Sequence, residues 1–193
     1  MKETLPKDDE IAALLPTYTQ EGDVTRILLT NGTEIVYRRT MRATIRRLAR
    51  RRCKDVALLR RWASRYTHRT LNNPIAASAD LVLVPVKTRR PRVGGDVTMA
   101  HINVAALADT FPEPPEEGPG RRRTRLRRPL SGVQPDKHAV LSLAGGASLS
   151  VLWSEKTIRA HISAARHIRA ELVRDEEEAV LRRLSCGREA AKS

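Results

Sequence analysis

The sequence has few cysteines, no long apolar run and no apolar segment at its start. Cys53 and Cys186 are its two cysteines, and they are far apart. Such an arrangement gives neither a disulfide framework nor a zinc site, and it suits a reducing compartment. No stretch approaches the roughly 18 consecutive apolar residues of a membrane span. The first residues include acidic side chains where a signal peptide needs a basic start and an apolar run. We therefore expect a cytoplasmic protein.

Aromatic residues and clustered catalytic groups are also scarce. Only six of the 193 residues are Phe, Trp or Tyr, so the core must be built mostly from Leu, Ile, Val and Ala. The five histidines show no metal-ligand spacing, and the carboxylates concentrate in the linker and tails. A two-metal site would need clustered carboxylates. No nucleophile–base pair and no phosphate-binding glycine loop is visible. We expect no enzymatic activity, no cofactor and no metal site.

Positive charge is what the sequence has in excess. Lys and Arg number 36 against 22 Asp and Glu, and the pI is about 10.9. Residues 38–71 hold thirteen of these basic residues and a single acidic one, Asp55. A high-GC genome would account for part of the preference for Arg over Lys, but not for the clustering. A strongly basic chain attracts polyanions, which include nucleic acid, anionic lipid and acidic proteins.

The first half of the chain has the pattern of a hairpin followed by two helices. Alternating apolar residues flank Asn31-Gly32, which predicts strands at about 24–30 and 33–38 joined by a type I′ turn. Thr40 is placed to cap a helix, and the spacing predicts two helices, at about 41–52 and 55–66. The apolar stripe that should hold them to a sheet includes Met41, Ile45 and Leu48.

The second half predicts a β region, a linker and a second hairpin–helix unit. An apolar strand at 81–86 contains Pro85, which favours a sheet edge or a strand end. Another strand follows near His101. Residues 112–137 hold six of the eleven prolines and an Arg-rich run, which indicates a flexible insert. A glycine turn, a helix capped by Ser154 and an apolar face that includes Ile158 and Ile162 then repeat the first pattern.

The clustered arginines are the candidate site. An i, i+4 row formed by Arg42, Arg46 and Arg50 has almost no acidic partners, so the helices carry self-repulsion that a polyanion would relieve. The alternatives to a nucleic-acid interface are a solvated helix face and a surface that binds an acidic protein. The insert is a second candidate, either as a basic arm that enters a groove or as a solubilising linker. The predicted DNA contacts are Arg42, Arg46, Arg47, Arg50, Arg51, Arg52, Arg60, Arg61, Arg65, Arg121, Arg122 and Arg123.

The chain from about 24 to 172 resembles the ComK family of bacterial competence transcription factors. "RRC" at 51–53 is similar to the family's Arg-x-Cys, and "NNPI" at 72–75 to its Lys-x-Pro-Ile. "ADLVLVPVKTRRP" at 79–91 and "HINVAAL" at 101–107 are similar to its next two strands. "VLSLAGGASLSVLWSEKTIRAHISAARHIR" at 140–169 is similar to its closing strand–glycine–strand–helix. The chain departs from the family in lacking the Gly-Ser-rich turn that follows the cysteine.

The resemblance implies a transcriptional activator of DNA-uptake genes, associated with the nucleoid. It also implies binding to A/T-rich duplex DNA, largely through the minor groove, and self-association on DNA. A-tract minor grooves are narrow and strongly negative, which suits arginine. An RNA- or ribosome-associated basic protein and an adaptor that binds an acidic protein remain the alternatives.

We predict an α+β fold in which two β-hairpin–helix units flank a central antiparallel β region. The predicted organisation is a polar lead-in at 1–20, a DNA-binding domain at 21–174 with the flexible insert at 112–137, and a charged tail at 175–193.

Overall fold

A computed structural model describes residues 4–20, 22–91, 94, 96–112 and 139–190, with residues 111–112 and 182–190 described by their backbone alone. The predicted insert at 112–137 lies outside these residues except for residue 112. Within the described ranges, no helix has the length and apolar content needed to cross a membrane.

A six-stranded sheet forms the centre of the fold, and every strand pair in it is antiparallel. Its strand order is β3-β2-β1-β6-β5-β4. The strands are β1 (Ile11–Thr19), β2 (Gly22–Leu29), β3 (Glu34–Tyr37), β4 (Ile75–Ser78), β5 (Leu81–Lys87) and β6 (Met99–Asn103). The continuous apolar run of β5 arises because both faces of the sheet are covered.

Two short helices pack against this sheet, and both contribute to the apolar cluster on one of its faces. They are α1 (Met41–Arg51) and α2 (Val56–Thr67). The Thr40 hydroxyl accepts from the N–H of Ala43 at 3.3 Å, as expected for the cap of α1. The predicted stripe Met41, Ile45 and Leu48 is buried in one cluster with Leu81 and Leu83 of β5.

A second sheet and a long helix cover the other face. The second sheet consists of β7 (Leu107–Pro112), β8 (Ala139–Leu143) and β9 (Ser148–Val151), and the helix is α3 (Glu155–Ala190). Ser154 caps α3 by accepting from the N–H of Thr157. Ile158 and Ile162 are buried, as predicted, in the cluster that contains Val82 and Val84. The α+β class with an antiparallel β region is confirmed.

The prediction of a polar lead-in is wrong for residues 11–19. They form β1, an interior strand whose first five residues are buried. Pro16 lies within this strand, and β1 pairs with β6 only at Ala13 and Leu14. At Pro16 the strand therefore has β2 as its one neighbour, and a proline is tolerated there because no hydrogen bond is needed on the other side. The prediction that Pro85 marks a sheet edge or a strand end is wrong for β5, which lies between β6 and β4 and continues to Lys87. The proline is tolerated because β4 pairs with β5 only as far as Leu83, so that β6 is its one neighbour at this position.

Two further expectations need correction. The turn after β2 is not type I′, because Gly32 has φ +85° whereas Asn31 lacks a positive φ. The N–H of Gly32 donates to the carbonyl of Leu29, and the N–H of Leu29 donates to the carbonyl of Thr33, which makes a three-residue connection. The charged tail expected from 175 continues α3 to Ala190, since this segment is rich in Glu, Leu and Ala and has no proline.

The two glycine turns of the hairpins touch each other. A Cβ on Gly145 would lie 2.3 Å from the Gly32 nitrogen, and a Cβ on Gly32 would lie 2.6 Å from the Gly145 carbonyl oxygen. Only residues without a side chain fit at this contact, which brings the two strand–turn–strand units together at their turns.

Candidate nucleic-acid interface

Helix α1 separates its apolar and basic residues onto opposite sides. Its buried residues face the large sheet, and its exposed side chains are those of Arg and Ala alone. Arg42, Arg46 and Arg50 follow one another at four-residue intervals, so the row extends over about 12 Å of helix. Duplex DNA presents about seven phosphate charges over that axial length. The exposed face of α1 offers no amide or hydroxyl side chain, so its contacts to a partner would be made by guanidinium groups.

Helix α2 adds three more arginines next to α1. Asp55 caps it, accepting from the N–H groups of Ala57 and Leu58 at 2.8 and 3.1 Å. Leu59 and Ala63 are its buried residues. Arg61 and Arg65 are one turn apart on the exposed side, and Arg60 is exposed on a neighbouring side.

Seven of the predicted contact residues are exposed and share one electrostatic property. Within the described residues, no carboxylate lies within ion-pair distance of any of them, and their side chains make no hydrogen bond. Guanidinium groups remain charged at all physiological pH values. We call this group the arginine set, and it consists of Arg42, Arg46, Arg47, Arg50, Arg60, Arg61 and Arg65.

Arg51 and Arg52 differ from the arginine set because they meet a buried carboxylate. The Asp8 side chain is only 2% exposed and forms an ion pair with each of them, at 2.8 Å for Arg52 Nε. Ser78 Oγ donates to the same carboxylate at 2.8 Å, and Arg51 also donates to the carbonyl of Pro6. The structure therefore gives both arginines a role in the fold, while a DNA contact by them stays a prediction.

The Asp8 carboxylate is held ionised by these partners. Burial alone would raise its pKa, but the hydrogen bonds from Ser78, Arg52 and Arg51 outweigh burial and leave the pKa below the usual 3.8. Asp8 thereby joins the segment before β1, the C-terminal end of α1 and the end of β4. This anchor is not visible in the sequence, because Asp8 lies 43 residues from Arg51 along the chain.

A buried histidine lies beneath the two helices. His101 of β6 pairs with Leu14, whose side chain belongs to the cluster that α1 and α2 cover. Burial, and then the positive charge of Arg60, lowers the pKa of His101 to about 3. His101 is therefore neutral in the folded protein at physiological pH, and charge from the arginine set influences a group inside the core.

The remaining predicted residues and the metal prediction have no structural outcome. Arg121, Arg122 and Arg123 lie outside the described residues. In the described part of the chain, no three His, Cys, Asp or Glu side chains are grouped so that they could hold a metal ion.

Comparison with known proteins gives no match: no family model, no curated protein and no solved structure matches the chain.

Proposed function

We propose that this chain is a duplex-DNA-binding transcription regulator and that the arginine set contacts the DNA. The observation that carries the proposal is the concentration of seven exposed, unneutralised arginines on two consecutive helices. Each phosphate neutralised by such a residue releases condensed counterions, which is the main source of affinity for DNA.

Duplex DNA fits the exposed chemistry better than single-stranded RNA does. Proteins that bind unpaired bases stack them on exposed aromatic side chains. Of the described aromatic side chains, Tyr37 is buried and the others are partly buried. Trp62 and Tyr66 pack against each other with ring centroids 5.0 Å apart, and Tyr66 also contacts His167 of α3. These rings support the fold rather than offer a stacking platform.

The expected mode of recognition follows from the residue type. Arginine binds phosphate, reads guanine in the major groove and enters narrow minor grooves. The exposed face of α1 carries no Asn or Gln, the side chains that pair with adenine in the major groove. Selectivity for A/T-rich sites would therefore arise from groove shape, in agreement with the resemblance to the ComK family. That resemblance also supports activation of DNA-uptake genes as the regulatory role.

The test is a mobility-shift titration with three probes of equal length at two salt concentrations. We expect an A/T-tract duplex to bind more tightly than a G/C duplex and more tightly than single-stranded RNA, and every affinity to fall as salt rises. Equal affinity for all three probes would rule out sequence-selective regulation, and tighter binding of RNA would favour the RNA-associated alternative. An affinity that does not change with salt concentration would exclude nucleic acid as the partner and favour an adaptor that binds an acidic protein.

A further inference from the structure

The two edges of the large sheet differ in how they are protected. At one edge, β4 is fully buried and contacts α2 and α3. At the other edge, β3 has three exposed residues in a row, and Ile35 and Val36 are 38% and 56% exposed. Among the described residues no strand pairs with the outer side of β3. An exposed apolar edge strand is a template for pairing with another strand.

The hydrogen-bond phase of the hairpin determines which backbone groups face outward. Leu29 donates its N–H to the carbonyl of Thr33, and bonded pairs alternate along an antiparallel ladder. Two residues further on, Ile35 therefore directs its backbone groups toward β2. Glu34 and Val36 direct their N–H and C=O groups away from the sheet, where a further strand would bind.

We propose that β3 pairs antiparallel with β3 of a second copy of this chain, about a two-fold axis at Val36. In this register the outward N–H and C=O of each Val36 meet those of the other Val36. Glu34 then lies nearest to Arg38 of the second copy, the residue at the bend that follows β3, and by symmetry Arg38 lies nearest to the second Glu34. The interface is isologous, because the order acidic–apolar–apolar–apolar–basic at residues 34–38 is complementary to itself when reversed.

Charge selects this register over its neighbour. A register centred on Ile35 also satisfies the hydrogen-bond phase, but it places Glu34 opposite Val36 and leaves the charges without opposite partners. Opposite charges brought close at the two ends of the paired strands attract each other. Glu34 now contacts Arg26 at 3.5 Å in an exposed pair, which is weak in water and can rearrange. Arg38 already has an interaction within its own chain, so pairing would add a carboxylate to it.

The paired sheets would bring the helices of the two copies to one side. Residues directly opposite in an antiparallel pair project from the same face, so the two-fold axis is perpendicular to the sheet. Helix α1 begins four residues after β3 ends. Both copies of α1 therefore lie on the same face, and their arginines form one larger basic surface. The pairing itself needs no nucleic acid and does not rest on the proposed function.

The experiment is sedimentation analysis of the full chain without DNA, over a range of concentrations. A four-residue edge is a small interface, so we expect a reversible rise from the 21.6 kDa monomer toward about twice that mass. A Val36→Lys variant should raise the dissociation constant about fivefold, because it places two cations on the axis. Leu71→Lys, at a residue 75% exposed elsewhere, is the matched control and should associate as the parent does.

Charge reversal tests the register. Glu34→Arg and Arg38→Glu should each weaken association, whereas the double variant should restore it because the opposite-charge pairs are re-formed. A chain that stays monomeric at all concentrations would overturn the proposal, as would a Val36→Lys variant that associates normally. A double variant no stronger than the single ones would overturn the register. Circular dichroism melts of each variant show whether a loss comes from unfolding.

Discussion

Two groups of arginines in this protein differ in whether the fold supplies them with a carboxylate. Arg51 and Arg52 meet buried Asp8 at the end of α1, and Arg159 and Arg174 pair with acidic neighbours on α3. The arginine set on α1 and α2 has no such partner among the described residues. The difference shows that these helices carry more positive charge than the fold neutralises, and a polyanionic partner would offset the resulting repulsion.

The largest expected effect is a loss of stability in acid that arises from burial of His101 beneath the two helices. The pKa of His101 is lowered from 6.5 to about 3 by burial and by Arg60, so the unfolded chain binds the proton more readily. Stability is therefore lost as the pH falls from about 6.5 toward 3. Between pH 6.5 and pH 4.5 the free energy of unfolding should fall by on the order of 3 kcal/mol. Urea unfolding at these two pH values measures the difference. His161, whose pKa is lowered to about 4 by burial and then Arg69, adds to this loss.

Three variants separate these contributions. His101→Gln should lose less stability on acidification than the parent protein, and Arg60→Gln should lose slightly less as well. Arg65→Gln, at an exposed arginine of the same helix that is not a cause of the His101 shift, should behave like the parent. An unfolding free energy that stays flat between pH 6.5 and 4.5 would contradict a neutral buried His101.

The next largest effect should come from removing the Asp8 carboxylate, which neutralises Arg51 and Arg52. Asp8→Asn leaves Arg51 and Arg52 without their anion, and we expect unfolding to become easier by about 2 kcal/mol. The loss is moderate because both arginines are partly exposed and regain water. Asp9→Asn, at the exposed neighbouring residue, should change stability by less than about 0.5 kcal/mol.

The pH dependence of the same pair of proteins checks this prediction. Because the folded pKa of Asp8 lies below 3.8, its contribution is present above that value and disappears as the pH falls through the folded pKa. The parent and Asp8→Asn stabilities should therefore converge in acid. A difference that is the same at pH 7 and at pH 3 would show that ionisation of Asp8 is not the source of its effect.

The smallest effect should have the opposite sign. Arg46 has like charges four residues away on both sides, and each such pair costs about 0.2–0.5 kcal/mol. Arg46→Gln should therefore raise the unfolding free energy by about 0.5 kcal/mol at low salt, and the gain should shrink at 1 M salt, at which the screening length is about 3 Å. Arg52→Gln loses its bond to Asp8 and should instead destabilise. If Arg46→Gln and Arg52→Gln changed the unfolding free energy equally, the distinction between the arginine set and the arginines bound to Asp8 would be wrong.

Much of the fold follows from local patterns in the sequence. Thr40 and Ser154 cap helices, and the stripes of Met41, Ile45, Leu48, Ile158 and Ile162 are buried as their spacing predicts. The hairpin around Gly32 is present, but its turn type depends on one extra residue in the connection. Such features are set by neighbours within a few positions, which is why the sequence reveals them.

The features that the sequence does not reveal depend on contacts between distant residues. Pro16 is tolerated within β1 because the pairing of β1 with β6 ends two residues earlier, at Leu14. The sequence does not show where this pairing ends. Arg51 and Arg52 cannot be distinguished from Arg50 in the sequence, because the carboxylate that binds them comes from the segment before β1. Only the folded structure separates the arginine set from Arg51 and Arg52, because it shows the ion pairs that these two form with Asp8.

The most direct test of the central claim is the slope of log binding constant against log salt for duplex DNA. The variant Arg42→Gln/Arg46→Gln/Arg50→Gln is compared with Lys156→Gln/Arg166→Gln/Arg174→Gln, which removes the same charge from exposed residues of α3. If the arginine set neutralises phosphates, the first variant should bind less tightly and its slope should become shallower by about three, while the second keeps nearly the parent slope. Equal slopes for the two variants would contradict the account.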